Sequence, residues 1–224
     1  MNNRAVGRFL IACGTLLLLA AVSLVVYNLH RSSSAEKASK EKAELIRQYI
    51  NSNVSTESES SPTNQKEPSN PQEPALSQPE YEPEAESSEP LADEALELDG
   101  EFYIGLLAIP ALGLELPVIR DYSLEKMDIA VCRYMGSLEG GDMIICGHNF
   151  SCFFSDLYRL QPGDEIIFTN IKGQKIYYTV GWQELISGWA TGDMPAGSDS
   201  WDLTLFTCTW NSRSRVTVRA VRNE

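Results

Sequence analysis

Asp202-Leu203-Thr204-Leu205-Phe206-Thr207-Cys208-Thr209-Trp210, followed after three residues by Ser214-Arg215-Val216-Thr217-Val218-Arg219-Ala220, is the stretch from which the fold is read. The first run is a strand pattern, with Leu203, Leu205 and Thr207 on one face and Thr204, Phe206 and Cys208 on the other. Its cysteine falls where strand gives way to loop, a position from which a side chain meets a ligand. The second run alternates strictly and puts Arg215, Thr217 and Arg219 on one face. Six residues separate Cys208 from Arg215, which predicts an antiparallel hairpin and brings a thiol near a guanidinium.

Charge is unevenly distributed. Residues 1–50 carry 7 basic and 3 acidic groups, residues 51–100 carry 1 and 13, and residues 101–224 carry 10 and 15. The acidity behind the overall net charge of −13 therefore sits mostly in one segment. It says little about the folded part, beyond arguing against nucleic acid as a partner.

After a short N-terminus (residues 1–8), Phe9–Leu29 is a run of 21 residues without a charge. That is long enough to cross a bilayer as a helix and reads as an uncleaved signal-anchor. Arg31, Lys37, Lys40, Lys42 and Arg47 on its far flank outnumber Arg4 and Arg8 before it. Counted alone, they would keep the C-terminal side in the cytoplasm. Residues 30–50 read as a helical juxtamembrane stalk, rich in Ala, Glu and Lys, with Leu45, Ile46, Tyr49 and Ile50 on a weak apolar side. Residues 51–100 hold seven prolines between Pro62 and Pro90 among Glu, Ser and Gln. They read as a disordered acidic spacer that lifts the following domain from the membrane.

Residues 101–224 read as one mostly β domain. Strands are predicted at 103–109, 114–119, 142–147, 165–169, 175–183, 203–208 and 215–221, and short helices at 123–131 and 152–160. Seven to eight short strands with one or two helices predict a closed β-barrel, attached to an N-terminal transmembrane helix. Cys132, Cys146 and Cys152 are disulfide candidates in an extracellular setting, with small buried thiols as the plainer reading. There is no CxxC, Cys146-Gly147-His148 is too tight for a metal pair, and no acidic cluster suggests calcium. No cofactor is expected.

The chain has two histidines, and His30 sits at the membrane edge. An imidazole partner for Cys208 must therefore be His148, which ends the apolar strand Ile144-Ile145-Cys146 after one glycine. A thiolate supplies a nucleophile, an imidazole moves the proton, and a guanidinium stabilises an oxyanion or holds a peptide backbone. Together they describe acyl transfer through a thioester.

These residues carry a resemblance. Thr204-Leu205-Phe206-Thr207-Cys208 matches the TLxTC signature of the sortases, membrane-anchored cysteine transpeptidases of bacterial cell surfaces. Gly147-His148-Asn149 looks like their histidine motif, and Arg215-Val216-Thr217-Val218 resembles the start of their last strand. The resemblance implies Cys208 as nucleophile, His148 as acid/base and Arg215 as the oxyanion or positioning group. Arg213 and Arg219 compete for that last role. It further implies cleavage of an LPxTG-like sorting signal on surface proteins and transfer to an amine of a peptidoglycan precursor or pilin. The cytoplasmic N-terminus and extracellular catalytic domain follow from it, against the flanking charges. Asn149, Thr207, Trp189 and Trp210 are candidate groove residues, with Met194 as another wall. The short Cys208–Arg215 link lacks a long covering loop, no second apolar span follows Val221, and Gly147-His148-Asn149 looks closest to class B-like members. A thiol hydrolase, or a non-catalytic envelope scaffold with Cys208 as a core thiol, are the competing functions.

Overall fold

The computed structural model describes residues 3–57, 94–189, 192, 194–195 and 198–223. A long helix, α1 (Asn3–Glu57), precedes nine strands: β1 (Leu96–Leu98), β2 (Glu101–Ile109), β3 (Leu114–Ile119), β4 (Val131–Met135), β5 (Met143–Cys146), β6 (Glu165–Asn170), β7 (Lys175–Ser187), β8 (Leu203–Cys208) and β9 (Ser214–Arg222). They are ordered β1-β2-β3-β4-β5-β8-β9-β7-β6, and β6 pairs back onto β2, so β2–β9 close an eight-stranded barrel. Closure depends on Gly105, whose φ is +154° and where a Cβ would stand 2.1 Å from the Thr169 carbonyl oxygen. Only a residue without a side chain lets β2 and β6 approach there.

Two apolar layers follow from the alternation along the strands. Leu107, Val118, Ile145, Phe168, Leu205 and Val218 fill the barrel interior. Tyr103, Ile119, Cys132, Ile144, Cys146 and Phe206 form a second cluster on the outer face. The predicted helix at 152–160 is instead a chain of turns ending in one 3-10 turn at Leu157–Arg159. Its helix-like spacing comes from Phe153, Leu157 and Leu160 plugging the interior, and Pro162 follows at once. The predicted helix at 123–131 also shrinks to a 3-10 turn, Lys126–Asp128, although the Ser123 hydroxyl accepts from Lys126 N–H (3.1 Å) as a cap would. Its end is drawn into β4, a strand that the sequence pattern did not separate: Val131 pairs with Val118, and Cys132 with both Ile119 and Cys146. The cysteines are free thiols, and burial pushes the Cys132 thiol up to about 12.

α1 contains the apolar span and continues unbroken into the docked part of the chain. Ala35, Ser39, Lys42, Ala43, Ile46 and Ile50 make a buried stripe at helical spacing, and Ala43, Ile46 and Ile50 complete the outer cluster. The stalk is therefore held against the barrel. Burying Ile46 and Ile50 contributes about 1.5–3 kcal/mol each, more than half-exposed ion pairs supply. Such pairs set the register: Arg31 meets Asp128 at 2.6 Å, Lys42 meets Asp99, and Arg47 meets Glu115.

The spacer reading changes accordingly. Residues 51–57 extend α1 and 96–98 form β1 on the start of β2, while 58–93 lie outside the described residues. The acidic segment thus starts directly after Ile50, docked on the barrel, and returns to it through β1, so its length does not set the separation of α1 from the barrel.

Candidate active site

β5 and β8 pair in parallel with a constant offset: Met143 with Leu203, Ile144 with Thr204, Ile145 with Leu205 and Cys146 with Phe206. Continued by two residues, the same register sets Gly147 beside Thr207 and His148 beside Cys208. Two contacts hold it past the ladder's end. Gly147 N–H donates to the Phe206 carbonyl (3.2 Å), and the buried Thr207 hydroxyl donates to the Gly147 carbonyl (2.8 Å). On the other side of β8, Cys208 is the direct antiparallel partner of Arg215. By that continued register the backbones of His148, Cys208 and Arg215 fall in one row across β5, β8 and β9, with strands about 4.8 Å apart. The His148 ring turns toward Asp128 and Phe150, and the Arg215 guanidinium toward the Ser212 and Ser214 carbonyls.

Gly147 is required by packing. A Cβ there would lie 2.8 Å from both Phe154 and Val131 side-chain carbons, so a larger residue would push His148 out of the row.

The His148 ring stacks on Phe150 (centroids 4.8 Å apart), and its Nε2 lies 3.1 Å from Asp128 Oδ1 without hydrogen-bond geometry. Burial holds the imidazole below its usual range, Arg31 lowers it further, and Asp128 opposes both. Arg31 also donates from one Nη to both Asp128 oxygens (2.6 and 2.7 Å), so a helix cation, a turn carboxylate and the imidazole form a chain. Asp128 and Arg31 were not singled out in the sequence. The first sits in a short turn without motif, and the second counts there only as a flanking charge.

The three arginines have separate surroundings. Arg215 Nη1 donates to the carbonyls of Ser212 and Ser214 (3.2 Å each), beside the mouth of the row. Arg219 is 2% exposed; it donates to Glu184 (2.8 Å), the Met194 carbonyl (2.7 Å) and the Thr204 hydroxyl (2.7 Å), and lies over the Trp201 ring. Arg213 is exposed in the β8–β9 turn, its carbonyl accepting from Gly188 N–H (2.7 Å).

A cavity of about 850 Å³ opens beside Cys208. Asn149, Phe150, Thr207, Trp210 and Val216 line its barrel side, and α1 supplies the other wall through Val25, Leu29 and Ser32. Asn149, Thr207 and Trp210, the candidate groove residues, are among its lining, Thr207 with its hydroxyl already engaged. Trp189 is not among the lining residues and is 96% exposed, whereas Met194 is fully buried. Among the described residues no group of three or more His, Cys, Asp or Glu side chains could hold a metal ion.

A family model described as a sortase domain matches residues 107–223. Sortase A of Bacillus anthracis is 29% identical over 117 residues, covering 50% of this chain and 54% of that protein. The chain thus spans about half the length of the curated relative it matches. Among solved structures, sortase A from Corynebacterium diphtheriae superposes with a TM-score of 0.50 at 24% identity, covering 55% of this chain and 62% of that one. Sortase C from Clostridium perfringens SM101 gives 0.48 at 23%, covering 55% and 70%.

Proposed function

This chain belongs to the sortase family, and on that premise we propose that it is a cell-surface cysteine transpeptidase with Cys208, His148 and Arg215 as its catalytic residues. What supports this reading is strand register: Cys208 is the direct β8 partner of Arg215 on β9, and Gly147, the residue before His148, is tied to the Thr207 hydroxyl, the residue before Cys208. The Cys208 thiolate attacks the carbonyl carbon of the scissile peptide bond, and Arg215 stabilises the resulting oxyanion. His148 gives a proton to the leaving amine, which departs and leaves a thioester. An incoming amine then attacks the thioester, His148 takes its proton, and the thiolate leaves. Arg219 is enclosed by Glu184, Met194, Thr204 and Trp201, which argues for Arg215 in the oxyanion role.

The substrate is a surface protein bearing an LPxTG-like sorting signal, and the acceptor is an amine of a peptidoglycan precursor or a pilin. α1 anchors the enzyme with its N-terminus in the cytoplasm and the barrel outside. Arg31, Lys42 and Arg47, which oppose that orientation by simple count, are paired with barrel carboxylates.

The test uses the full chain with a quenched LPxTG-type peptide library, with and without an amine acceptor. Amine-dependent product that vanishes in Cys208→Ala is expected. Cleavage indifferent to amine would make the protein a hydrolase. No cleavage together with no alkylation of Cys208 at neutral pH would leave a scaffold barrel.

A further inference from the structure

The apolar span and the barrel rim share one space. Val25 and Leu29, in the last turns of the span, line the same cavity as Trp210 and Tyr158 of the barrel. The four residue steps from Val25 to Leu29 rise about 6 Å along a helix, so the rim reaches that far below the span's end. Interfacial helices bury their apolar faces to a similar depth of about 5–10 Å.

The rim has the chemistry for that layer. Trp189 and Trp210 are 96% and 94% exposed, and Tyr158 is 62% exposed. The loops carrying the tryptophans are joined, since Gly188 N–H donates to the Arg213 carbonyl at 2.7 Å. Arg213 is exposed between them, and Arg159, beside Tyr158, is 61% exposed and paired with Asp156 at 3.2 Å. Tryptophan and tyrosine favour the lipid–water boundary, where the ring is sheltered and the N–H or O–H stays wet. Arginine there meets anionic headgroups.

We propose that this rim is seated in the headgroup layer of an anionic bilayer, the membrane crossed by α1, with Trp189, Trp210 and Tyr158 as interfacial anchors. The opening beside Cys208 then lies at headgroup level, and substrates reach it along the membrane surface. The proposal rests on α1 being a membrane anchor, as read above.

The test places the full chain in nanodiscs of equal phosphatidylglycerol and phosphatidylcholine, with plain or brominated acyl chains, and reads tryptophan emission. Brominated lipid is expected to remove about half the emission, since two of the four tryptophans lie on the rim. In Trp189→Phe/Trp210→Phe that lipid-dependent loss disappears, because Trp201 is 2% exposed inside the protein and Trp182, 38% exposed, sits at the Arg219 register of β7, away from the rim end at Ser187. Equal emission in both lipids, a loss that persists in the double variant, or a chain that fails to enter the discs would each overturn the proposal. Peptide transfer by the same samples is read separately. Transfer without quenching rejects the seating and leaves the transpeptidase reading intact; quenching without transfer does the reverse.

Discussion

Cys208 and Arg215 face each other as antiparallel partners at the open end of β8 and β9, while Arg219 pairs with Thr204 four residues deeper in the same hairpin. Two arginines on one face thus have different surroundings, and different roles are proposed for them. Arg215→Ala is expected to lower kcat by about 10²–10³ with little change in the urea midpoint, the usual effect of removing an oxyanion donor. Arg219→Leu is expected to destabilise the barrel by about 2–3 kcal/mol, because it strips partners from the Met194 carbonyl and the Thr204 hydroxyl. Urea titration beside a transfer assay separates the two; a reversed pattern would exchange their roles.

The hydroxyl of Thr207 ties the cysteine strand to the histidine strand through the Gly147 carbonyl at 2.8 Å. Thr207→Val keeps the shape and removes that bond, at about 1–3 kcal/mol of stability. A larger proportional loss in kcat than in KM is expected, since the row is loosened without touching its three members. Unchanged kcat would show that the tie does not set the geometry.

Titration of His148 followed by NMR should give a midpoint below its ordinary value of 6.5, with burial as the main cause. Asp128→Asn is expected to lower it further, and Arg31→Gln to raise it, because those charges act in opposite directions. The stability sign follows. Below 6.5 the unfolded chain takes up a proton that the folded one resists, so stability is full above 6.5 and declines from there toward the lower folded value. His148→Gln should flatten that slope in urea midpoints measured across the same range.

Docking of α1 rests on an apolar stripe centred on fully buried Ile46. Ile46→Ala is expected to cost about 2–5 kcal/mol, and Ile46→Asp to free the helix from the outer face. Hydrogen exchange in β3 reports it: the amides of Leu116, Val118 and Ile119 should exchange faster in the aspartate variant. Unaltered protection would mean that the ion pairs alone hold the helix.

Much of the barrel was legible because its strands alternate, and the hairpin around Cys208 could be read to within one residue at each end. The 60-residue spacing between His148 and Cys208 turns out to be the offset of two parallel strands. Parallel register is set by the closed sheet and leaves no local mark. β4 was hidden because Val131–Met135 is short and follows directly on a turn capped by Ser123. The helix reading at 152–160 failed because buried residues at helical spacing also suit a coil that plugs a barrel. The docking of α1 was invisible for another reason. Ala35, Ser39, Lys42 and Ala43 are not an apolar face by composition; they are buried because the barrel supplies Asp99 and a flat apolar outer layer.

The acidic segment leaves the barrel surface on α1 and returns to it on β1. It is a handle fixed at both ends rather than a rope with a load on one. One proteolytic nick between Glu57 and Glu94 would cut the chain in two and still leave both pieces joined through Ile46, Ile50 and their neighbours. On the proposed reading of α1 as a membrane anchor, shedding the barrel takes undocking as well as cleavage.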